Sequence, residues 1–216
     1  MYQNVIFDLD GTLLNTIDDL ADAANWVCER HGWPTHTVEE YKQFVGNGMA
    51  VLAQRFVPSD WRTPVGIAQV LGEFMPYYDA HKEDKTAPYP GLPELLSELK
   101  GAGVKVAVLS NKAHSLVPDI LEHYFPGVFS YAQGAMEGQP TKPDPTLLHR
   151  LMKEMGASRG DTLFVGDSNV DVRTAKNGGL TCCGVLWGFR GREELVREGA
   201  DFLAEDAGVL KKLILE

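Results

Sequence analysis

Two hydrophobic periods alternate along most of the chain. Short apolar runs rich in β-formers stand at residues 5–7, 104–109, 162–165 and 181–186, each closing on polar residues or glycine. Runs of this length, bounded by turn formers, predict buried strands. Between and after them, apolar residues recur at three- and four-residue spacing over 93–100, 115–124, 145–155 and 170–177, which predicts helices. A further short strand is predicted around 128–131, and two short helices complete the chain. Strands alternating with helices predict an α/β fold with a doubly wound parallel sheet.

One interval breaks the rhythm. Roughly 90 residues separate the first strand from the second, where a crossover needs a dozen or so. The pattern there is helical throughout, over 17–30, 38–45, 49–56 and 65–81. Pro64 suits a first helical turn, and Pro76 is expected to kink or break the last helix. Residues 15–84 are therefore expected to form a helical domain inserted into an α/β domain made of 1–14 and 85–216. The Pro-rich stretch Ala87-Pro88-Tyr89-Pro90-Gly91 marks the return. Trp26, Trp33 and Trp61 are expected to supply the small core of the insert.

Composition narrows the function. The chain has 216 residues, 44% of them hydrophobic, and no apolar run approaches the roughly 20 needed to span a bilayer. It carries no secretory leader pattern, and Cys28 with the adjacent Cys182 and Cys183 fits neither a disulfide framework nor a zinc site. A cytoplasmic protein without membrane attachment is expected. The net charge of −10 argues against nucleic acid as a partner. It also means that an anionic substrate must be drawn by a locally positive pocket or a bound cation.

The strand ends hold the candidate chemistry. Asp8 and Asp10 follow the first strand, Ser110-Asn111-Lys112 the second, and Gly166-Asp167-Ser168-Asn169-Val170-Asp171 a later one. Lys142 sits between turn formers in the loop before residue 145. In a parallel sheet these ends share one rim, where such folds bind ligands. Asp8, Asp10 and Asp167 together would repel one another unless a cation sat among them, and carboxylates with a phosphate describe Mg²⁺. Ser110 and Asn111 are candidate phosphate binders, and Lys142 supplies positive charge where a phosphoryl transition state builds negative charge. Lys112 either reaches a phosphate or faces solvent. His114 reads as a polar helix start.

Taken together, Phe7-Asp8-Leu9-Asp10-Gly11-Thr12-Leu13, Leu109-Ser110-Asn111-Lys112, Lys142-Pro143-Asp144-Pro145 and Gly166-Asp167-Ser168-Asn169-Val170-Asp171 resemble the four motifs of the haloacid dehalogenase superfamily, in the family's order. The resemblance implies that Asp8 is a nucleophile forming an aspartyl-phosphate, and that Asp10 protonates the leaving alcohol and then activates water. It implies Mg²⁺ on Asp8, Asp167 and the Asp10 main-chain carbonyl, with Asp171 in or near the second shell. Ser110 and Lys142 would bind phosphate, and Lys142 would orient Asp8. An acid two residues after the nucleophile resembles the phosphatases and phosphomutases rather than the dehalogenases proper. Asn15 stands where many relatives carry Asp, which touches the hinge and not the chemistry.

The insert matches this family's helical cap, which closes over the site and supplies specificity. Within it, Gly46-Asn47-Gly48 followed by Arg55 resembles the phosphoglycolate phosphatases. The glycines let backbone amides approach a carboxylate at a helix start, or they simply open a helix with no ligand. Arg55 either pairs with a substrate carboxylate or braces the cap. Trp187 and Phe189, in a C-terminal stretch that also resembles this subfamily, read as packing residues. The expectation is a Mg²⁺-dependent phosphomonoester hydrolase, monomeric or homodimeric, for a small phosphorylated metabolite such as phosphoglycolate. A phosphomutase of the β-phosphoglucomutase kind, or a pyrophosphatase or nucleotidase, is the alternative.

Overall fold

Strand β1 (Asn4–Phe7) is buried along its whole length, as its apolar run Val5-Ile6-Phe7 requires. The computed structural model covers residues 1–216 and divides into two compact units, Met1–Leu14 with Pro88–Glu216, and Asn15–Ala87. The chain leaves the first unit at the two-residue strand β2 (Leu14–Asn15) and re-enters it at another, β3 (Ala87–Pro88). The first unit then adds β4 (Lys105–Ala113), β5 (Tyr131–Ala135), β6 (Thr162–Gly166), β7 (Thr181–Val185) and β8 (Phe202–Ala204). These strands and β1 form one sheet in the order β5-β4-β1-β6-β7-β8, parallel at every pairing. This is the doubly wound α/β fold that strand–helix alternation predicts.

Register sets the site. Phe7 lies level with Val108 on β4 and Val165 on β6. Asp8 and the end of β6 therefore emerge side by side on one rim, beside β4, which runs on past them. Beneath it, Ile6, Leu109, Phe164 and Cys182 pack against Leu148, Leu151, Val172 and Ala175 from the helices Thr146–Met155 and Asn169–Gly178. Gly178 rests on Leu148, where an added Cβ would stand 2.4 Å from a methyl group, so the helices approach as closely as glycine allows. Burial of this kind contributes roughly 1.5–3 kcal/mol per large apolar side chain and makes the rim rigid.

The second unit holds the helices Ile17–His31, Val38–Phe44, Met49–Phe56 and Pro64–His81. Thr37 and Glu40 form a reciprocal capping box on the second, and Thr63 caps the fourth. Its core is Leu20, Val27, Tyr41, Leu52, Phe56, Val70, Phe74 and Tyr78. Asp19 is buried and accepts the backbone N–H groups of Lys85 and Thr86 and the Thr86 hydroxyl, so the first helix is tied to the returning segment. No helix in the molecule is long and apolar enough to cross a membrane.

Several expectations need correction. The helix Pro64–His81 runs through Pro76 without a break. Pro76 and Gly72, whose carbonyl it leaves without a donor, are both exposed, so water can satisfy that carbonyl while Phe74 and Tyr78 hold the packed side. Trp26, Trp33 and Trp61 are half-buried and lie outside the core. Trp33 stacks on His31, with Trp61 edge-on to both, and Trp26 stacks on Tyr77. Strand β5 falls at Tyr131–Ala135, later than 128–131, and β8 lies where only helices were expected. The second strand does not stop at Leu109: β4 carries Ser110, Asn111 and Lys112 inside it.

Candidate active site

Asp8 stands directly after β1, its backbone N–H bonded to the Val165 carbonyl of the neighbouring strand. Lys142 reaches it from the loop before the helix Thr146–Met155. The lysine Nζ lies 2.7 Å from Asp8 Oδ1 and 2.7 Å from Asp171 Oδ1, a single ammonium between two carboxylates. Asp171 caps the start of the helix Asn169–Gly178, its other oxygen accepting from the Ser168 hydroxyl at 2.6 Å and the Ser168 N–H at 3.1 Å. Asp167 completes the group. One carboxylate oxygen from each of Asp8, Asp167 and Asp171 lies within 4.8 Å of the others, and all three residues are buried.

The charges do not balance within this cluster. Burial first, and the nearby Asp171 second, hold the Asp8 carboxyl well above the usual carboxylate range, with Lys142 opposing them. Burial and Asp171 push Asp167 up to about 7, against the Phe189 N–H, Arg190 and Lys142. Burial alone would lower Lys142, but Asp171 and Asp8 outweigh it and hold the ammonium above its ordinary range. Three buried acids with one lysine among them are a hard-oxygen donor set short of positive charge, which fits Mg²⁺.

Loop backbone shapes the carboxylates. Phe189 donates its N–H to Asp167 Oδ2 at 2.6 Å, and Trp187 Nε1 donates to the Thr12 carbonyl at 3.0 Å. Gly188 between them leaves no room for a side chain, since a Cβ would stand 2.2 Å from Asp167 Cβ and 2.5 Å from the Gly11 carbonyl oxygen. Gly11, at φ +88°, meets the same carboxylate, 2.4 Å from where its Cβ would lie. Replacing Gly188 by Ala is expected to displace Asp167, weakening Mg²⁺ binding at least about tenfold by calorimetry, in the range of lost outer-shell support. Unchanged binding by a folded variant would show that this loop does not brace Asp167.

Placement of the other candidates is uneven. Ser110 is buried and its hydroxyl accepts the Lys112 N–H at 3.1 Å. Asn111 was expected to face a phosphate, but its side-chain amide donates to the Lys142 carbonyl at 3.0 Å and accepts the Lys142 N–H at 2.9 Å. Both ends of that amide hold the loop that carries Lys142. Lys112 does not face solvent; it is buried, with Nζ 3.1 Å from Asp10 Oδ1. His114 opens a short 3₁₀ turn, and its Nδ1 accepts the Gly134 N–H at 3.1 Å. In the helical unit, Gly46 and Gly48 both have positive φ and Gly48 caps the helix Met49–Phe56. Arg55 donates to the Phe44 carbonyl at 2.6 Å and to Asn47 Oδ1 at 2.9 Å, bracing that turn from within. Trp187 and Phe189 pack as expected, yet their backbone and indole N–H groups also build the site. Sequence reasoning missed this; the signal available was a glycine between two aromatics just after a strand.

The family model for haloacid dehalogenase-like hydrolases matches residues 5–185. The chain belongs to that family. A relative from Vibrio cholerae, named a phosphoglycolate phosphatase, is 33% identical over 98% of this chain and 96% of its own. Another phosphoglycolate phosphatase, from Pseudomonas syringae, is 34% identical over 97% of this chain and 78% of its own. A solved structure from Lactobacillus delbrueckii subsp. bulgaricus, provisionally named a phosphoglycolate phosphatase, superposes with a TM-score of 0.92 at 34% identity, covering 99% of this chain and 98% of that one. Within the haloacid dehalogenase-like family, the chain is an enzyme of the phosphatase kind.

Proposed function

We propose that the protein is a Mg²⁺-dependent phosphomonoester hydrolase that works through an aspartyl-phosphate on Asp8. The observation that carries this is the pairing of Lys142 with Asp8 and Asp171 beside Asp167, with Asp10 held apart on a different lysine. Two aspartates two residues apart thus occupy different environments, as two carboxylates with different tasks require. Asp8, Asp167 and the Asp10 main-chain carbonyl would hold Mg²⁺, with Asp171 beside them. Bound there, the ion would neutralise the acids and polarise the phosphoryl group.

The chain's own residues do the rest. Asp8, oriented by Lys142, attacks phosphorus as Asp10 gives its proton to the departing oxygen, releasing the alcohol. Asp10, now a carboxylate, takes a proton from water as that water attacks the acyl-phosphate, and phosphate leaves Asp8. Lys142 carries positive charge to the phosphoryl oxygens throughout, and Ser110, buried at the same rim, is the hydroxyl offered to them.

A small soluble substrate resembling phosphoglycolate is the proposal for specificity, supported by the relatives' names and the Gly46-Asn47-Gly48 turn. Residues 15–84 are proposed as the cap that selects it. The test is phosphate release across a panel of small phosphoesters with and without Mg²⁺. Release that requires Mg²⁺ and is greatest for phosphoglycolate is the expected result. No release from any ester would overturn the assignment, and isomerisation of β-glucose 1-phosphate would replace it by a mutase.

A further inference from the structure

The lysine of the β4 motif, Lys112, takes no chemical step in the scheme above, and its position is unusual. Lysine ammonium groups are almost never withdrawn from water unless paired. Lys112 has no exposed side-chain surface, and its Nζ donates to Asp10 Oδ1 at 3.1 Å. Strand geometry explains how it arrives there. Between the pairs Leu109–Gln133 and Ala113–Ala135, four steps along β4 face two along β5, so the ladder bulges at Ser110–Lys112. Bulges re-aim side chains. Here the bulge is held by the Ser110 hydroxyl on the Lys112 N–H. It is made possible by Gly134 opposite, where a Cβ would stand 2.7 Å from the Lys112 carbonyl oxygen and 2.6 Å from His114 Cα. Asn111 turns to the Lys142 loop and Lys112 to Asp10. The two lysines thus divide the two catalytic aspartates between them, Lys142 on Asp8 and Lys112 on Asp10.

We propose that Lys112 is the positioning residue for Asp10: it acts through that carboxylate on proton delivery to the leaving group, and not on the phosphate. This rests on the phosphatase reading of the site. As the P–O bond to the alcohol breaks and the Asp8–phosphorus bond forms, the Asp10 proton passes to the leaving oxygen. The negative charge left on Asp10 then lies against the Lys112 ammonium. A rigidly held donor also preserves the alignment that proton transfer needs.

The dependence on leaving group separates this role from a structural one. The value kcat/KM reports steps only through phosphoryl transfer to Asp8. Alkyl phosphates need the Asp10 proton, whereas 4-nitrophenyl phosphate, with its good leaving group, needs it far less. In Mg²⁺ buffer, Lys112→Met is expected to lose about 10²-fold in kcat/KM on an alkyl ester. Its loss on 4-nitrophenyl phosphate should stay below about threefold, since proton transfer contributes little there. Inhibition by inorganic phosphate should be unchanged. The double variant Asp10→Asn/Lys112→Met should be no slower on the alkyl ester than Asp10→Asn alone, because two residues acting as one unit are not additive. Lys112→Gln, smaller but still a hydrogen-bond donor, should show the same pattern at smaller amplitude and carries the test if the Met variant does not fold. Equal losses on both esters, or weakened phosphate inhibition, would overturn the proposal and leave Lys112 as a packing or phosphate-binding residue. A wild-type protein inactive on both esters would refute the phosphatase reading itself.

Discussion

Replacing Asp8 by Asn is expected to lower kcat/KM by at least about 10⁴-fold, in line with loss of a nucleophile elsewhere. It should at the same time raise the melting temperature of the metal-free protein at about pH 8, because one of three crowded, buried acids is removed. The first effect follows because a neutral amide cannot attack phosphorus. The second follows from the charge of the cluster. Asp8 lies within a few ångströms of Asp167 and Asp171 and, being buried, is held toward its neutral form. An acid whose folded value lies above its unfolded one binds more protons when folded. Its contribution therefore falls as pH rises from the unfolded value to the folded one. For Asp167 the window runs from 3.8 to about 7, and the loss across it is on the order of 4 kcal/mol, at about 1.4 kcal/mol per pH unit. Metal-free wild-type protein should thus melt lower near pH 8 than near pH 5, and Mg²⁺ should recover the difference. Asn at position 8 retains an oxygen for Lys142, so the apo variant should depend less on pH. Calorimetric melts in chelator at the two pH values are the measurement. A metal-free variant less stable than wild type at pH 8 would contradict the charge argument, and activity surviving the change would refute the nucleophile.

How much of this was legible in the sequence depends on what each residue reports locally. Apolar runs report burial, so β1, β6 and β7 were found nearly to the residue. Polar residues inside a sheet report nothing of the kind. Ser110, Asn111 and Lys112 look like a loop, yet they continue β4, because a functional rim can bury polar groups once each has a partner. Strand β5 reads Tyr-Ala-Gln-Gly-Ala, with one strong β-former, and is placed by pairing with β4. Strand β8 is three residues long, too short for a period to register. Pro76 is the reverse case, a strong local signal overridden by packing on one side and water on the other. In the site, acids and bases could be named, but their partners could not. Asn111 has the chemistry of a phosphate ligand, and only the fold reveals that both ends of its amide are committed to Lys142.

Replacing Lys142 by Met should be the single change most damaging to stability, and activity should fall with it. Methionine preserves most of the aliphatic volume in a site where Lys142 is almost fully buried, so the change isolates the ammonium. Its removal deletes two contacts of 2.7 Å and leaves Asp8, Asp167 and Asp171 facing one another without their lysine. Breaking one side of a buried ion pair costs about 3–5 kcal/mol because the remaining charge stays desolvated. For a chain of this size that corresponds to a fall of roughly 6–20 °C in melting temperature. The pH dependence follows by sign. Lys142 is held above its ordinary range, so its stabilising contribution is complete at any pH below its unfolded value of 10.5 and varies little between about pH 5 and 8. Any variation in that interval comes from the carboxylates, which take up protons at the acid end and relieve their own repulsion. The destabilisation in chelator should therefore be large near pH 8 and smaller near pH 5, with Mg²⁺ restoring part of it. Activity should fall by about 10²–10³-fold even in saturating Mg²⁺, since the positive charge at the phosphoryl oxygens and the orientation of Asp8 are lost together. A variant that melts with the wild type at both pH values would show that the cluster is relaxed by other means, and the picture of Lys142 as its central cation would have to be abandoned.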